Sequence, residues 1–228
     1  MKFAIVAEYF RKLEGTQSRL EMTDLLVGLF QKSPKGEIDK VAYLCLGHFT
    51  AEYEDVVLGI GDKIMIQAIA MAAHRLPKDV SRKFKEVGDL GLAAEEMIGS
   101  GKGVSLASFT GDERGDVSVK ELFGSLHKIA AASGSKSQDV KIKTLVGLLG
   151  KAKPLEARYI VRIALETMRL GTGPMTLLDA LATLYAKEKK NRPAVERAYN
   201  ISSDIGLIAR ELASKGLGGV EEIKPAVG

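Results

Sequence analysis

Leu26-Val27-Gly28-Leu29 recurs 119 residues later as Leu145-Val146-Gly147-Leu148. The same offset aligns Gly15 with Gly134, Ser18 with Ser137, Glu37 with Glu156 and Leu46 with Leu165. An offset of 112 aligns Leu58-Gly59-Ile60-Gly61 with Leu170-Gly171-Thr172-Gly173, and Ala68 and Ala70 with Ala180 and Ala182. An offset of 115 aligns Val80, Arg82 and Phe84 with Val195, Arg197 and Tyr199, and Asp89-Leu90-Gly91-Leu92 with Asp204-Ile205-Gly206-Leu207. The drop from 119 to 112 places seven extra residues near 50–57 of the first copy. Glycines and cap residues match as well as apolar positions, and the three blocks keep their order. That pattern predicts a duplicated chain.

The repeated unit reads as helix. Phe3, Val6, Ala7, Phe10 and Leu13 make one apolar stripe, and Leu122, Leu126, Ile129 and Ala130 make another, at spacings of three and four. Similar periodicity runs near 20–31, 38–47, 62–74, 79–86, 90–98, 138–149, 155–168, 174–187, 193–200 and 204–214. Ser33-Pro34-Lys35-Gly36 is a turn. Pro154 and Pro174 suit first helical positions, and Asp62, Asp89 and Asp204 suit N-caps. The expected fold class is all-α, with about twelve short helices in two pseudo-symmetric six-helix halves. The halves would be 1–98 and 118–216, with a Gly- and Ser-rich linker at 99–117 and a tail at 217–228.

Composition narrows the function classes. The chain has 228 residues, 46% hydrophobic and 27% charged, as in soluble globular proteins. No apolar run reaches the ~18 residues of a membrane helix, and the N-terminus lacks a signal-peptide cleavage site. The single Cys45 excludes an internal disulfide and fits a cytoplasmic location; with three scattered histidines it argues against a zinc site. His48, His74 and His127 read as structural, and Glu95-Glu96 as a solvated pair.

Charge is uneven. Residues 1–118 carry 15 basic and 18 acidic side chains, whereas 119–228 carry 18 and 11. Within 128–169 there are nine basic residues to three acidic, a surface suited to a polyanion. Two elements there could meet phosphate. The loop Ser133-Gly134-Ser135-Lys136-Ser137-Gln138 leads into a helix N-terminus, whose unpaired N–H groups favour anions. Lys136, Lys141 and Lys143 add full charges. The second element is Met168-Arg169-Leu170-Gly171-Thr172-Gly173-Pro174, where a glycine-rich turn admits close approach of a duplex and an Arg fits a narrow minor groove.

At these residues the chain resembles the N-terminal DNA-binding domain of archaeal and eukaryotic ATP-dependent DNA ligases. The resemblance covers essentially the whole sequence. It is strongest in SGSKSQDVKIKTLVGLL and LEARYIVRIALETMRLG, between Ser133 and Pro174, with further similarity in GDLGLAAEE (88–96) and VKELFGSLHKIA (119–130). It implies an all-helical, two-fold pseudo-symmetric domain that grips the minor groove on both sides of a nick. Its groove residues carry over to Arg169 and Gly171, with Thr172 in the same turn. Its phosphate contacts carry over to Ser135, Lys136 and Ser137, with Lys141 close by. Glu166 stands where some relatives have a small residue, three positions before the arginine.

The resemblance also implies a longer parent enzyme active in DNA replication, repair and recombination, using ATP and Mg2+. No Lys-x-Asp-Gly motif for an adenylated lysine exists here. The chain therefore reads as an inactive, monomeric fragment that binds no cofactor itself and ends where a nucleotidyltransferase domain would begin. Gly99-Ser100-Gly101-Lys102-Gly103 lacks the distal Gly and the Ser or Thr of a phosphate loop and reads as linker. A helical-repeat protein scaffold is the competing reading. Some archaeal relatives dock on a sliding clamp through this linker. Leu106 and Phe109 have the spacing of that motif, but Gly103 and Thr110 replace its Gln and second aromatic. They are either a clamp-docking anchor or residues folded back between the halves.

Overall fold

The computed structural model describes residues 1–100, 117–186 and 191–224, and these are helical almost throughout. In chain order the helices are α1 (Phe3–Glu14), α2 (Arg19–Lys32), α3 (Ile38–Cys45), α4 (Asp62–Ala72), α5 (Pro77–Val87) and α6 (Leu90–Gly99). Then come α7 (Val119–Ala130), α8 (Ser137–Lys151), α9 (Pro154–Ala164), α10 (Pro174–Leu181), α11 (Arg192–Ser202), α12 (Ile205–Lys215) and α13 (Leu217–Glu221). A 3-10 turn, Glu52–Glu54, precedes α4, and a π-turn, Ala182–Ala186, extends α10. The β structure among the described residues is one bridge, Lys2 with Ser118.

The chain divides into two compact units that are not the two sequence halves. Unit 1 holds Met1, Glu8–Asp55 and Arg169–Gly228; unit 2 holds Lys2–Ala7 and Val56–Met168. Each unit therefore takes helices from both halves. In unit 1, α3 packs on α12 and α2 on α10. In unit 2, α9 packs on α6 and α8 on α4. An apolar stripe specifies that a face is buried but not which partner buries it, so an early half of one copy can complete the late half of the other.

One crossing recurs in both units. In unit 2, Asp89 caps α6 by accepting from the Leu92 N–H at 2.7 Å, and the same carboxylate accepts from Arg162 Nε of α9 at 3.2 and 3.1 Å. In unit 1, Asp204 caps α12 by accepting from the Leu207 N–H at 2.9 Å, and accepts from the Tyr43 hydroxyl of α3 at 2.6 Å. Burial, and then the Asp204 carboxylate, push the Tyr43 phenol pKa up. Two residues after each aspartate stands a glycine in close contact with the partner helix. A Cβ at Gly91 would lie 2.7 Å from the Arg158 carbonyl oxygen, and one at Gly206 would overlap the Tyr43 ring. These helices can cross only where the side chain is absent.

Three pairs of backbone positions follow the same offsets. Left-handed residues stand at Gly47 and Glu166, at Gly59 and Gly171, and at Gly88 and Ser203, pairs separated by 119, 112 and 115. The caps expected at Asp89 and Asp204, and the N1 prolines Pro154 and Pro174, are in place. Asp62 is not a cap. It is the first helical residue of α4, and Gly61 holds the cap position without a side-chain hydrogen bond. The stretch expected as 155–168 stops at Ala164, because Glu166 turns left-handed. Both acids of the pair expected to be solvated also make ion pairs within unit 2: Glu95, the less exposed, with Arg158 at 2.5 Å, and Glu96, which remains half exposed, with Lys83 at 2.6 Å. His48, His74 and His127 are exposed, and the His127 ring lies 6.3 Å from that of Phe123.

Gly91→Ala should lower stability by about 1–3 kcal/mol, the usual range for overpacking against backbone that cannot yield. Gly150→Ala, in α8 with open space around the added carbon, should raise it by roughly 0.5 kcal/mol through helix propensity. Urea unfolding of both variants checks the contrast. Equal effects would mean that the α6–α9 crossing is looser than described.

Candidate nucleic-acid interface

In unit 2 the serine loop is presented at a helix start. Gly134 is left-handed (φ 80°), Ser135 and Lys136 are exposed, and Ser137 opens α8. Lys136 occupies the cap position but makes no side-chain cap bond. The Ser137 N–H is taken by the Gly134 carbonyl at 3.1 Å, and no side chain caps the N–H groups that follow it, which have positive charge beside them.

Lys141, one turn further, is committed differently. Its half-buried ammonium donates to the Leu58 and Gly59 carbonyls at 2.7 and 3.2 Å. It fastens the turn Leu58-Gly59-Ile60-Gly61 to α8. Gly59 is left-handed (φ 57°), and Gly61 begins α4 with no side-chain cap. Unit 2 therefore brings together two uncapped helix starts, α4 and α8, joined by one lysine.

Unit 1 carries the related turn. Leu170 is buried, and Gly171 is exposed and left-handed at φ 71°. Thr172 is half-buried and donates its hydroxyl to the Cys45 carbonyl at 3.1 Å, so it shapes the turn. Gly173 begins α10 without a side-chain cap, and Pro174 follows at N1. A Cβ at Gly171 would meet Met22 Cε of α2 at 3.1 Å. Met22 occupies, at the offset of 119, the place that Lys141 holds in α8. In unit 1 the turn rests on an apolar side chain, whereas in unit 2 it hangs from an ammonium.

The start of α2 and α10 are held together by charge. Arg19 bonds Asp179 at 2.7 Å, and Arg192 Nε bonds the same carboxylate at 2.6 Å. Burial opposes the charged form of Asp179, but hydrogen bonds from Arg192 and Arg19 hold its carboxyl below the ordinary aspartate range. Arg169 is unlike these arginines. It is exposed in the segment before the turn and makes no ion pair among the described residues.

The predicted residues therefore fall in two places: Ser135, Lys136, Ser137 and Lys141 in unit 2, and Arg169, Gly171 and Thr172 in unit 1. Glu166 is exposed and left-handed (φ 57°) at the end of α9. Leu106 and Phe109 lie outside the described residues. Sequence reasoning did not count Gly59 and Gly61 as site residues. The signal was present, since the offset of 112 places them opposite Gly171 and Gly173.

Comparison with known proteins gives a consistent picture. The family described as DNA ligase N terminus matches residues 2–182. The chain is 44% identical over 230 residues to DNA ligase 2 of Thermofilum pendens, and 44% identical over 230 residues to the DNA ligase of Sulfurisphaera tokodaii. It is 38% identical over 228 residues to a probable DNA ligase of Aquifex aeolicus. Each alignment takes in 100% of this chain but only 38% of the relative's length. With most of its residues matched by that family and its full length aligned to these ligases, the chain belongs to the DNA ligase N-terminus family.

Proposed function

We propose that this chain is the duplex-DNA clamp of an ATP-dependent DNA ligase. It binds without sequence preference and positions a nick for sealing by the remainder of the enzyme, in replication, repair and recombination. One observation carries this reading. Each unit exposes a left-handed glycine turn that opens a helix with no side-chain cap, at α10 and at α4. Such a turn offers backbone N–H groups to phosphate and no Cβ to obstruct a duplex.

In this account Arg169 enters the minor groove beside Gly171, where the electrostatic potential is most negative. Thr172 fixes that turn from within. Ser135, Lys136 and Ser137 receive a phosphate at the start of α8. Lys141 acts through the turn it holds, setting Gly59 and Gly61 at the duplex. ATP and Mg2+ belong to the chemistry of the whole ligase and find no adenylation motif in this chain. Partners other than DNA, such as a sliding clamp reached through Leu106 and Phe109, are secondary to this role. No helix among the described residues is long and apolar enough to cross a membrane.

Equilibrium titration of a labelled duplex at several salt concentrations tests the proposal. If about six phosphates are neutralised, log K should fall against log salt with a slope near −5, equally for unrelated sequences. Absent or salt-independent binding would instead favour a protein scaffold.

Arg169→Ala should weaken binding by about 1–3 kcal/mol without lowering the melting temperature. Lys136→Ala should cost less and flatten the salt slope by about one. A fall in melting temperature with unchanged affinity would make Arg169 a stabilising residue only.

A further inference from the structure

The repeat allows the outward faces of α1–α2 and α7–α8 to be compared residue by residue. Phe3, Val6, Ala7, Phe10 and Leu13 of α1 are buried, as are Val119, Leu122, Phe123, Leu126 and Ile129 of α7, at a constant offset of 116. Leu26, Leu29 and Phe30 of α2 correspond likewise to Leu145, Leu148 and Leu149 of α8, at 119. The outward positions are therefore in register too.

Those positions have diverged, on balance toward positive charge. In unit 1 the face is filled. The Tyr9 ring lies against Gly28, where a Cβ would meet its hydroxyl at 3.0 Å. Lys12 and Lys32 lie over that ring at 5.2 and 5.3 Å from its centre. Glu8 and Asp24 add negative charge nearby in sequence. In unit 2 the counterpart of Tyr9 is Ser125, and a Cβ at Gly147 would meet nothing within 4 Å. A groove of about 370 Å³ opens there between α7 and α8. The counterparts of Lys12 and Lys32, Lys128 and Lys151, stand on its rim. Glu8 has become Gly124, and Asp24 has become Lys143. Two acids and a ring have given way to glycine, lysine and serine, while Glu121 on the groove stands where α1 has Ile5, a net gain of two positive charges at an opened surface.

We propose that this groove is a further polyanion site, which receives the phosphate backbone of duplex DNA beyond the contacts made by the glycine turns. The proposal rests on the DNA reading above. Lys128 and Lys143 are exposed and make no ion pair among the described residues, so both are available to phosphate. Lys151 is held at the rim by Glu121 at 2.8 Å. Gly124 and Gly147 leave the floor open to a backbone, and Ser125 offers a hydroxyl. Lysines act here as point charges, which suits phosphate recognition without sequence preference.

Two variants of this chain test it, each titrated with duplex DNA across a salt series beside the unsubstituted protein. Lys128→Ala with Lys143→Ala should weaken binding several-fold and make the salt slope shallower by about two. Ser125→Tyr restores the ring of unit 1 without changing charge; it should weaken binding several-fold while the melting temperature holds. Full affinity in either variant overturns the proposal: in the lysine variant because the charges are unused, in the tyrosine variant because they act as a distant field and not through the groove. Loss of binding to poly-glutamate with DNA affinity intact also overturns it, in favour of an acidic protein partner. The unsubstituted chain's own titration reports separately on whether this domain binds DNA.

Discussion

Each unit of this domain depends on a helix crossing with no room for a side chain. Asp89 and Asp204 begin their helices by capping them and, with the same carboxylate, take a donor from the helix beneath. Two residues on, Gly91 and Gly206 let the helices touch. The cap satisfies a backbone N–H that would otherwise be buried unpaired. The second hydrogen bond fixes the angle at which the glycine meets its partner. The donor itself is free to vary, an arginine in one unit and a tyrosine in the other, because the carboxylate accepts from either.

That crossing also explains how the two units ignore the boundary between the two halves of the sequence. The crossing joins α6 to α9 and α12 to α3, elements contributed by different halves in each case. The residues that pair are separated by 73 and 161 positions. Sequence periodicity made most helices legible and cap chemistry marked Asp89 and Asp204, while the repeat offsets aligned Gly91 with Gly206 and Gly59 with Gly171 without showing that they are crossings or left-handed turns. It could not reveal which late element closes on which early one, since every apolar stripe satisfies the same pattern. Helix α13 escaped notice for a local reason: its Gly218-Gly219 pair has poor helix propensity.

For the proposed site, the sequence foresaw exposure better than contacts. Arg169 and Gly171 stand exposed as the turn chemistry required, and the loop from Ser135 to Ser137 opens a helix. Lys141 shows what sequence conceals. Its charge marks it as a phosphate contact, but its ammonium is held by two carbonyls 83 and 82 residues away. Asp62 is a second instance, since the glycine before it takes the cap and leaves the start of α4 open. Both differences increase the resemblance between the turns of the two units, and both follow from backbone conformation.

The two units share their turns and differ in the faces around them. Unit 1 fills its α1–α2 face with a tyrosine and balances the charge, while unit 2 opens the matching face and makes it basic. Amide chemical-shift mapping during titration with a nicked duplex is the most direct measure of what the shared turns do. Binding through both turns predicts that the Gly59 and Gly171 resonances move together and saturate at the same DNA concentration. Saturable binding that leaves both resonances in place would contradict the account.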